Sequence, residues 1–345
     1  MILAIKGEVR EVRRKEGQAM RKSFILLMVV CLMVFAISSG IALCKTYRFY
    51  VVSHGGPGDP FWGVVMKGVE DAAAFITKGN PDGDVIEATY LGPAKYSVEE
   101  LVNMLNSAIA TKPDGLAVTI TDPASVEGPL RKAIEQGIPV IAINVPDPRP
   151  AGEKIPYLFY IGGDEYLSGK KAAERILAIG KPKRAIVTIH EVGHIGLELR
   201  AKGFIEVMEA NGVPAEKLAT HLDPTQAIEI LKSYFARYPE TDAIFTLGSI
   251  DSAYVLAFLR EQGLVGKVKH AAFDVSDEVV KAIKAGETLF TISQQQYLQG
   301  FLPIVYLYLY NKYSFLPASD ILTGPGFVDA TNVGLVEELV EKKFW

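Results

Sequence analysis

The feature that most constrains this chain is an alternation of short, almost uninterrupted apolar runs with amphipathic segments, from Phe49-Tyr50-Val51-Val52 to Leu289–Ser293. A strand that is apolar on both sides has to be covered on both faces, and helices do this when the strands run parallel. The first unit shows the pattern. Its apolar run reaches Ser53 and breaks into His54-Gly55-Gly56-Pro57-Gly58-Asp59-Pro60-Phe61-Trp62. Trp62, Val65, Met66, Val69, Ala73 and Ile76 then recur at steps of three and four, the spacing of one helix face. The loop therefore lies at the carboxyl end of a strand, where open α/β sheets gather ligands. It closes on Asp59, Phe61 and Trp62, two aromatic side chains beside a carboxylate, which suits a polar ring with apolar faces. Neither GxGxxG nor a Walker-type glycine–lysine motif is present, and Asp59 would repel a phosphate, so the glycines read as a turn.

Further strands are expected at Asp84–Leu91, Leu116–Ile120 and Pro139–Ile143. Ser97-Val98-Glu99-Glu100 is a capping box that opens one of the helices between them. Val145-Pro146-Asp147-Pro148-Arg149-Pro150-Ala151-Gly152 interrupts the series, because its three prolines remove donors and fix the backbone. It is read as the first crossing between domains. The alternation restarts at Tyr157–Gly162 and continues through strands at Arg184–Ile189, Leu218–Leu222, Ala243–Leu247, Val268–Phe273 and Leu289–Ser293. Tyr297–Tyr313 has the spacing of a buried helix, and Thr323-Gly324-Pro325-Gly326 is read as the last crossing. A length of 345 residues favours two domains. The expectation is an α/β fold of two similar doubly wound parallel-sheet domains.

Charge narrows the function. The chain carries a formal −4, and residues 1–42 hold seven Lys/Arg against three Asp/Glu, a net of +4 that leaves −8 on the remainder. That acidic balance argues against a nucleic-acid partner. The basic start has its own explanation. Arg21-Lys22 precede the apolar stretch from Phe24 to Ile37, followed by Ser38-Ser39-Gly40-Ile41-Ala42, the three regions of a secretory signal cut after Ala42. Met20 would be a conventional start, which makes residues 1–19 a candidate mis-assigned extension. The alternative is a retained membrane anchor. Only Cys31 and Cys44 occur, and Cys31 would leave with the signal, so a disulfide framework is excluded. Cys44 as a lipidated first residue is disfavoured by the bulk of Leu43 before it.

By Gln294 an ordered set of short matches has accumulated: Asp59-Pro60-Phe61-Trp62, Lys112-Pro113-Asp114-Gly115, Gly137-Ile138-Pro139-Val140-Ile141, Arg200-Ala201-Lys202-Gly203-Phe204, Phe273-Asp274, and Thr291-Ile292-Ser293-Gln294-Gln295-Gln296-Tyr297-Leu298-Gln299-Gly300. With these the chain resembles the extracytoplasmic sugar-binding proteins of ABC importers, in the ribose/galactose/xylose-binding cluster. The resemblance implies a periplasmic-binding-protein type I fold with three hinge crossings. Its lobes would comprise residues 43–148 with 295–324, and residues 149–294 with 325–345. It implies that Asp59, Phe61 and Trp62 contact a sugar from the first lobe. It also places Asn144 at a polar contact after the fourth strand, Asp274 at a hydroxyl-binding carboxylate and Gln294 at a contact beside the hinge. The loops 191–198 and 248–251, including Gly248 and Ser249, would line the second wall. Three departures bear on ligand identity. Asn144-Val145 stands where many relatives have Asp-Arg, Gly248-Ser249 replaces an Asn-Asp pair, and Glu198 replaces an arginine. Fewer fixed donors lean the expected ligand toward a polyol or deoxy-type ring.

His190-Glu191-Val192-Gly193-His194 matches the zinc-protease pattern HExxH. That chemistry needs both histidines on one helix face. Here the motif follows a strand and contains Gly193, so no metal is expected, and His194 is read as a donor facing the ligand. The sequence thus leads to a non-enzymatic, monomeric, cofactor-free receptor in the periplasm or cell envelope. It would pass a monosaccharide or polyol to ABC permease subunits. The alternative is a receptor of the same fold that presents a carbohydrate-like signal to a chemoreceptor or kinase. A cytoplasmic repressor fails, because a secretion signal occupies the place of a DNA-binding head.

Overall fold

Two sheets of continuous apolar strands form the framework of the computed structural model, which describes Met20, Arg21, Met28 and residues 44–345. Apart from Met20, Arg21 and Met28, the expected secretion signal and its cleavage site lie outside the described residues. The strands are β1 Thr46–Val52, β2 Val85–Leu91, β3 Gly115–Val118, β4 Val140–Asn144, β5 Tyr160–Gly163, β6 Ala185–Ile189, β7 Ala215–Ala219, β8 Ala243–Phe245, β9 Lys269–Phe273, β10 Phe290–Ser293, β11 Ile321–Gly324 and β12 Gly326–Asp329. Among the described residues ten helices cover them. They are α1 Pro60–Gly79, α2 Val98–Ala110, α3 Pro123–Glu135, α4 Glu165–Ile179, α5 Ile195–Ala210, α6 Pro224–Arg237, α7 Ser249–Glu261, α8 Asp277–Lys284, α9 Gln296–Tyr313 and α10 Val333–Glu341. Among the described residues no helix is long and apolar enough to cross a membrane.

The first sheet runs β11-β5-β4-β3-β1-β2 and is parallel throughout; the second runs β12-β10-β9-β8-β6-β7 and is parallel except for β12. Within each, five strands share one order, β2-β1-β3-β4-β5 and β7-β6-β8-β9-β10. This is the doubly wound arrangement, made twice in one chain, with a topological switch point after the first strand of each set. Fully buried strands such as β3, β4 and β6 account for their uninterrupted apolar sequences, since helices lie on both of their faces.

The proline-rich segment 145–152 is not the first crossing. After it the chain returns to the first sheet as β5, whose Tyr160, Ile161 and Gly162 pair with Ala142, Ile143 and Asn144 of β4. The lobe boundary placed at residue 148 therefore moves to Gly163, where Asp164 caps α4 and the chain enters the second sheet. The prolines serve a local turn held by Asp147, which accepts from the backbone N–H of Ile155 at 2.9 Å and pairs with Arg149. The chain passes back between β10 and α9, and passes again between β11 and β12.

Helices pack across glycines in the same way in both lobes. A Cβ on Gly68 or Gly300 would stand 2.3 Å from Tyr297 O or 2.0 Å from Val65 O, so α1 and α9 touch backbone to backbone. A Cβ on Gly169 or Gly203 would likewise stand 1.9 Å from Arg200 O or 2.2 Å from Tyr166 O, joining α4 to α5. These contacts set the height of α1 and α5, whose amino ends carry the residues discussed below. Replacing Gly300 or Gly169 by Val is expected to cost about 3 kcal/mol in urea unfolding, because backbone cannot move aside. Gly63→Ala in α1, where a Cβ meets nothing within 4 Å, should instead stabilise by about 0.5–1 kcal/mol.

Candidate functional site

The carboxyl ends of the two sheets border a small polar space. All nine residues singled out from the sequence border it: Asp59, Phe61, Trp62 and Asn144 from the first lobe, His194, Gly248, Ser249, Asp274 and Gln294 from the second. Glu191 and Leu197, from the loop 191–198 expected on the second wall, border it too, as do His54, His190, Arg200 and Leu247, which sequence reasoning did not assign to it. A usable signal for His54 and His190 was their position. Both loops, after β1 and after β6, open at the switch points of their sheets.

On the first wall, Asp59 caps α1 by accepting from the backbone N–H of Phe61 at 2.9 Å, and Pro60 occupies the first turn. Burial raises the Asp59 carboxyl above the usual carboxylate range. Phe61 and Trp62 stand edge to face at 4.8 Å, and Trp62 meets the ring of His54 at the same distance. A Cβ on Gly55 would lie 2.0 Å from the indole Nε1, which explains the glycine at that point of the loop. Both aromatic residues are buried, so each belongs to the cavity wall and to a small apolar cluster with Val65.

The floor is a buried polar network. Asn144 and Asp274 end equivalent strands, β4 and β9, and both adopt left-handed backbone, at φ 60° and 69°, which Asn and Asp tolerate better than other side chains. Asn144 donates from Nδ2 to Gln294 Oε1 at 3.3 Å and Gln299 Oε1 at 3.1 Å. Gln294 donates from Nε2 to Asp274 Oδ1 at 2.8 Å. Burial pushes the Asp274 carboxyl up to about 7, against the opposing pull of Arg200 and the Gln294 bond.

The second wall is organised by two ion pairs. Arg200 on α5 bonds Glu165 on α4, donates to Leu247 O at 2.7 Å and lies over Phe273 at 3.8 Å. An arginine therefore does reach the cavity, two positions beyond Glu198, which instead bonds Lys217 on the surface. Asp251 accepts from the backbone N–H groups of Leu247 and Gly248 and from Thr188, fixing the loop that carries Gly248 and Ser249. A Cβ on Gly248 would stand 2.8 Å from His190 Cε1, so the imidazole uses the room that glycine leaves. Asp251 beside it pulls His190 up to about 9, overcoming desolvation. The Ser249 hydroxyl is buried and unpartnered.

The HExxH segment is a loop between β6 and α5, and its two histidines diverge: His190 turns to Asp251 and His194 to His54. Across the lobes, however, His54, Glu191 and His194 bring ligand-capable atoms within 4.8 Å of one another. His194 is the N-cap of α5, its Nδ1 accepting from the backbone N–H of Leu197 at 3.2 Å. Burial pushes Glu191 up to about 7.

Two doubly wound lobes with a small polar cavity between aromatic and hydrogen-bonding side chains are the architecture of two-lobed solute-binding proteins. A family model described as periplasmic binding protein domain matches residues 49–312, and the chain belongs to that family. It is 28% identical over 301 residues to the xylose/arabinose-binding protein XylF of Sulfolobus acidocaldarius, spanning 84% of this chain and 72% of that one. Among solved structures it is similar to a carbohydrate transporter from Acidothermus cellulolyticus in complex with myo-inositol, with TM-score 0.78 and 25% identity. That match covers 87% of this chain and all of the other. A periplasmic sugar-binding protein of an ABC transporter from Legionella pneumophila matches with TM-score 0.73 and 31% identity over 81% of this chain and 99% of its own. The type I periplasmic-binding-protein fold is thus established, and the family is one of extracytoplasmic solute-binding proteins.

The buried acid in the floor has a measurable sign. Folded Asp274 holds its proton up to about pH 7, whereas an unfolded aspartate releases it near 4. Its contribution to stability is therefore lost as pH rises from about 4 through 7. Asp274→Asn keeps the acceptor for Gln294 and should stabilise the ligand-free protein relative to wild type at pH 8 while changing little at pH 4, measured by urea unfolding at both.

Proposed function

We propose that this protein is the extracytoplasmic receptor of an ABC importer and captures one small neutral sugar or cyclic polyol, a monosaccharide or inositol, between its lobes. The observation that carries the reading is the composition of the cavity. Aromatic faces from Phe61 and Trp62 oppose carboxylate, amide and guanidinium groups of Asp274, Gln294, Asn144 and Arg200. Vicinal hydroxyls each donate and accept, so a carboxylate or amide can bridge two of them, while the C–H face of a ring packs on an aromatic surface. The buried, unpartnered Ser249 hydroxyl is a further group that a ligand oxygen would satisfy.

The relatives support the same class, since XylF is named for xylose and arabinose and the Acidothermus structure holds myo-inositol. Arg200 restores a fixed donor to the wall, so a fully hydroxylated ring suits the cavity as well as a deoxy one. Closure follows from geometry: a ligand touching both walls binds the closed form better and shifts the lobes toward it. The closed protein then delivers the sugar to permease subunits. No catalytic step belongs to this reading.

A thermal-shift screen of the chain from Leu43 on, against pentoses, hexoses and inositols, tests it. A ligand at a hundred times its Kd stabilises by about 2.7 kcal/mol, a rise of several degrees in Tm. Phe61→Ala and Asp274→Ala are each expected to abolish the shift while leaving a cooperative transition. An undiminished shift in both would move the binding site out of this cavity.

A further inference from the structure

His54 and His194 come from opposite lobes and meet at 3.1 Å, Nε2 to Nε2. Both are buried, and their protons can be placed from their neighbours. A backbone N–H can only donate, so His194 Nδ1, which accepts from Leu197, carries no hydrogen. A neutral His194 therefore bears its proton on Nε2 and donates it to His54 Nε2. His54 then holds its own proton on Nδ1, 3.1 Å from the hydroxyl of Thr119. The chain of donors runs in one direction from α5 in the second lobe to the end of β3 in the first. Beside it the backbone N–H of Ile195 donates to Thr121 O at 3.1 Å, also across the lobes.

A metal ion is the competing use of these atoms. Glu191 Oε2 stands 3.9 Å from each of the two imidazole nitrogens, close to the edge of about 3.3 Å of a tetrahedral zinc site. A zinc-bound Nε2 would, however, put the proton of His194 on Nδ1, directly against the Leu197 N–H. The helix cap thus opposes the metal and fixes the tautomer that the hydrogen bond needs.

We propose that His54 and His194 are a closing pair: a hydrogen bond between imidazoles, one from each lobe, that forms only when the lobes meet and only while both rings are neutral. Protonation of either ring sets two N–H groups, or a charge and an unscreened dipole, against each other, and acid opens that side of the cleft. The groups facing the pair are few. Trp62 and Tyr96 present rings, Thr119 a hydroxyl, Glu191 a carboxyl, and Arg200 and His190 positive charge. Burial is the first cause that pushes His54 down to about 3 and His194 well below its usual value, with Arg200 and His190 adding to it for both. Glu191 and Asp274 act with the opposite sign, because burial makes them take up protons on closing. The wild-type profile alone is therefore a sum, and the test is a ratio between two proteins.

The double variant His54→Gln/His194→Asn supplies it, since Asn preserves the cap of α5. Affinity for D-xylose, L-arabinose and myo-inositol is measured by calorimetry at pH 8 and pH 5. At pH 8 the variant should bind about fivefold more weakly, the effect of one lost hydrogen bond. At pH 5 each exposed histidine of the open wild type must shed a proton to close, a handicap of about 30-fold per ring. The variant lacks both, so at pH 5 it should bind about tenfold or more tightly than the wild type. A second readout needs no ligand. Hydrogen exchange at the Ile195 amide, compared at one pH, should be protected in the wild type at pH 8 and lose protection in the variant. A variant-to-wild-type affinity ratio that is constant between pH 8 and pH 5 overturns the proposal, as does affinity lost to EDTA and restored by zinc. Equal Ile195 protection in the two proteins at pH 8 also overturns it, even where none of the three sugars binds. The pair rests on the cavity reading for its affinity arm alone, so the exchange arm separates its failure from that of the proposed function.

Discussion

The structure depends on satisfying a set of buried amides where the chain changes lobes. Gln299 lies at the centre of this junction. It accepts from Asn144, donates to both oxygens of Gln294 and to the hydroxyl of Thr323, and so ties together segments that end β4, β10 and β11. A buried amide left without partners costs about 1–3 kcal/mol, so these side chains hold one another in a single arrangement. A Cβ on Gly324 would stand 2.9 Å from Ser293 O and 3.1 Å from Gln294 Cα, which shows how closely the crossings pass. The same network forms the floor of the cavity through Gln294 and Asp274. Residues at the crossings between lobes thereby also border the proposed ligand space.

Above this floor the two lobes repeat one design. Each sheet has the same order around its switch point, and each helix after the first strand is brought down by a glycine contact, Gly68 with Gly300 in one lobe and Gly203 with Gly169 in the other. The loops after β1 and β6 consequently face each other, and the caps of α1 and α5, Asp59 and His194, look across the cavity. What differs is chemistry. The first wall is aromatic, and the second is built on buried charge, with Arg200 against Glu165 and His190 against Asp251. A buried charge is tolerable when paired, and Arg200 so paired still borders the space between the lobes.

Much of this was legible because it is local. Continuous apolar runs declared parallel strands covered on both faces, and Ser97, marked as a cap by Glu100 three residues on, caps its helix in the structure. The misplacement of the first crossing has a physical cause. Prolines at 146, 148 and 150 announce a break in regular structure but do not say whether the chain returns to the same sheet, and the pairing of β5 with β4 is decided by contacts distant in sequence. For the site, Asp59, Phe61 and Trp62 sit in one loop that chemistry alone marks out. Asn144, Asp274 and Gln294 came from family resemblance, and the left-handed backbone of the first two supplies a local reason for their residue types. His54 was hidden in what looked like a plain glycine turn. Its partner lies 140 positions away, and no pattern within either segment reports a pairing of that kind.

The central claim is that a small hydroxylated ring occupies the space between these walls. A crystal structure of the mature chain with the sugar that raises Tm most addresses it directly. The account predicts a ring packed on Phe61 or Trp62, with hydroxyls on Asp274 and Arg200 and with His54 and His194 in contact beside it. A sugar bound elsewhere, or a metal ion among His54, Glu191 and His194 in its place, would contradict it.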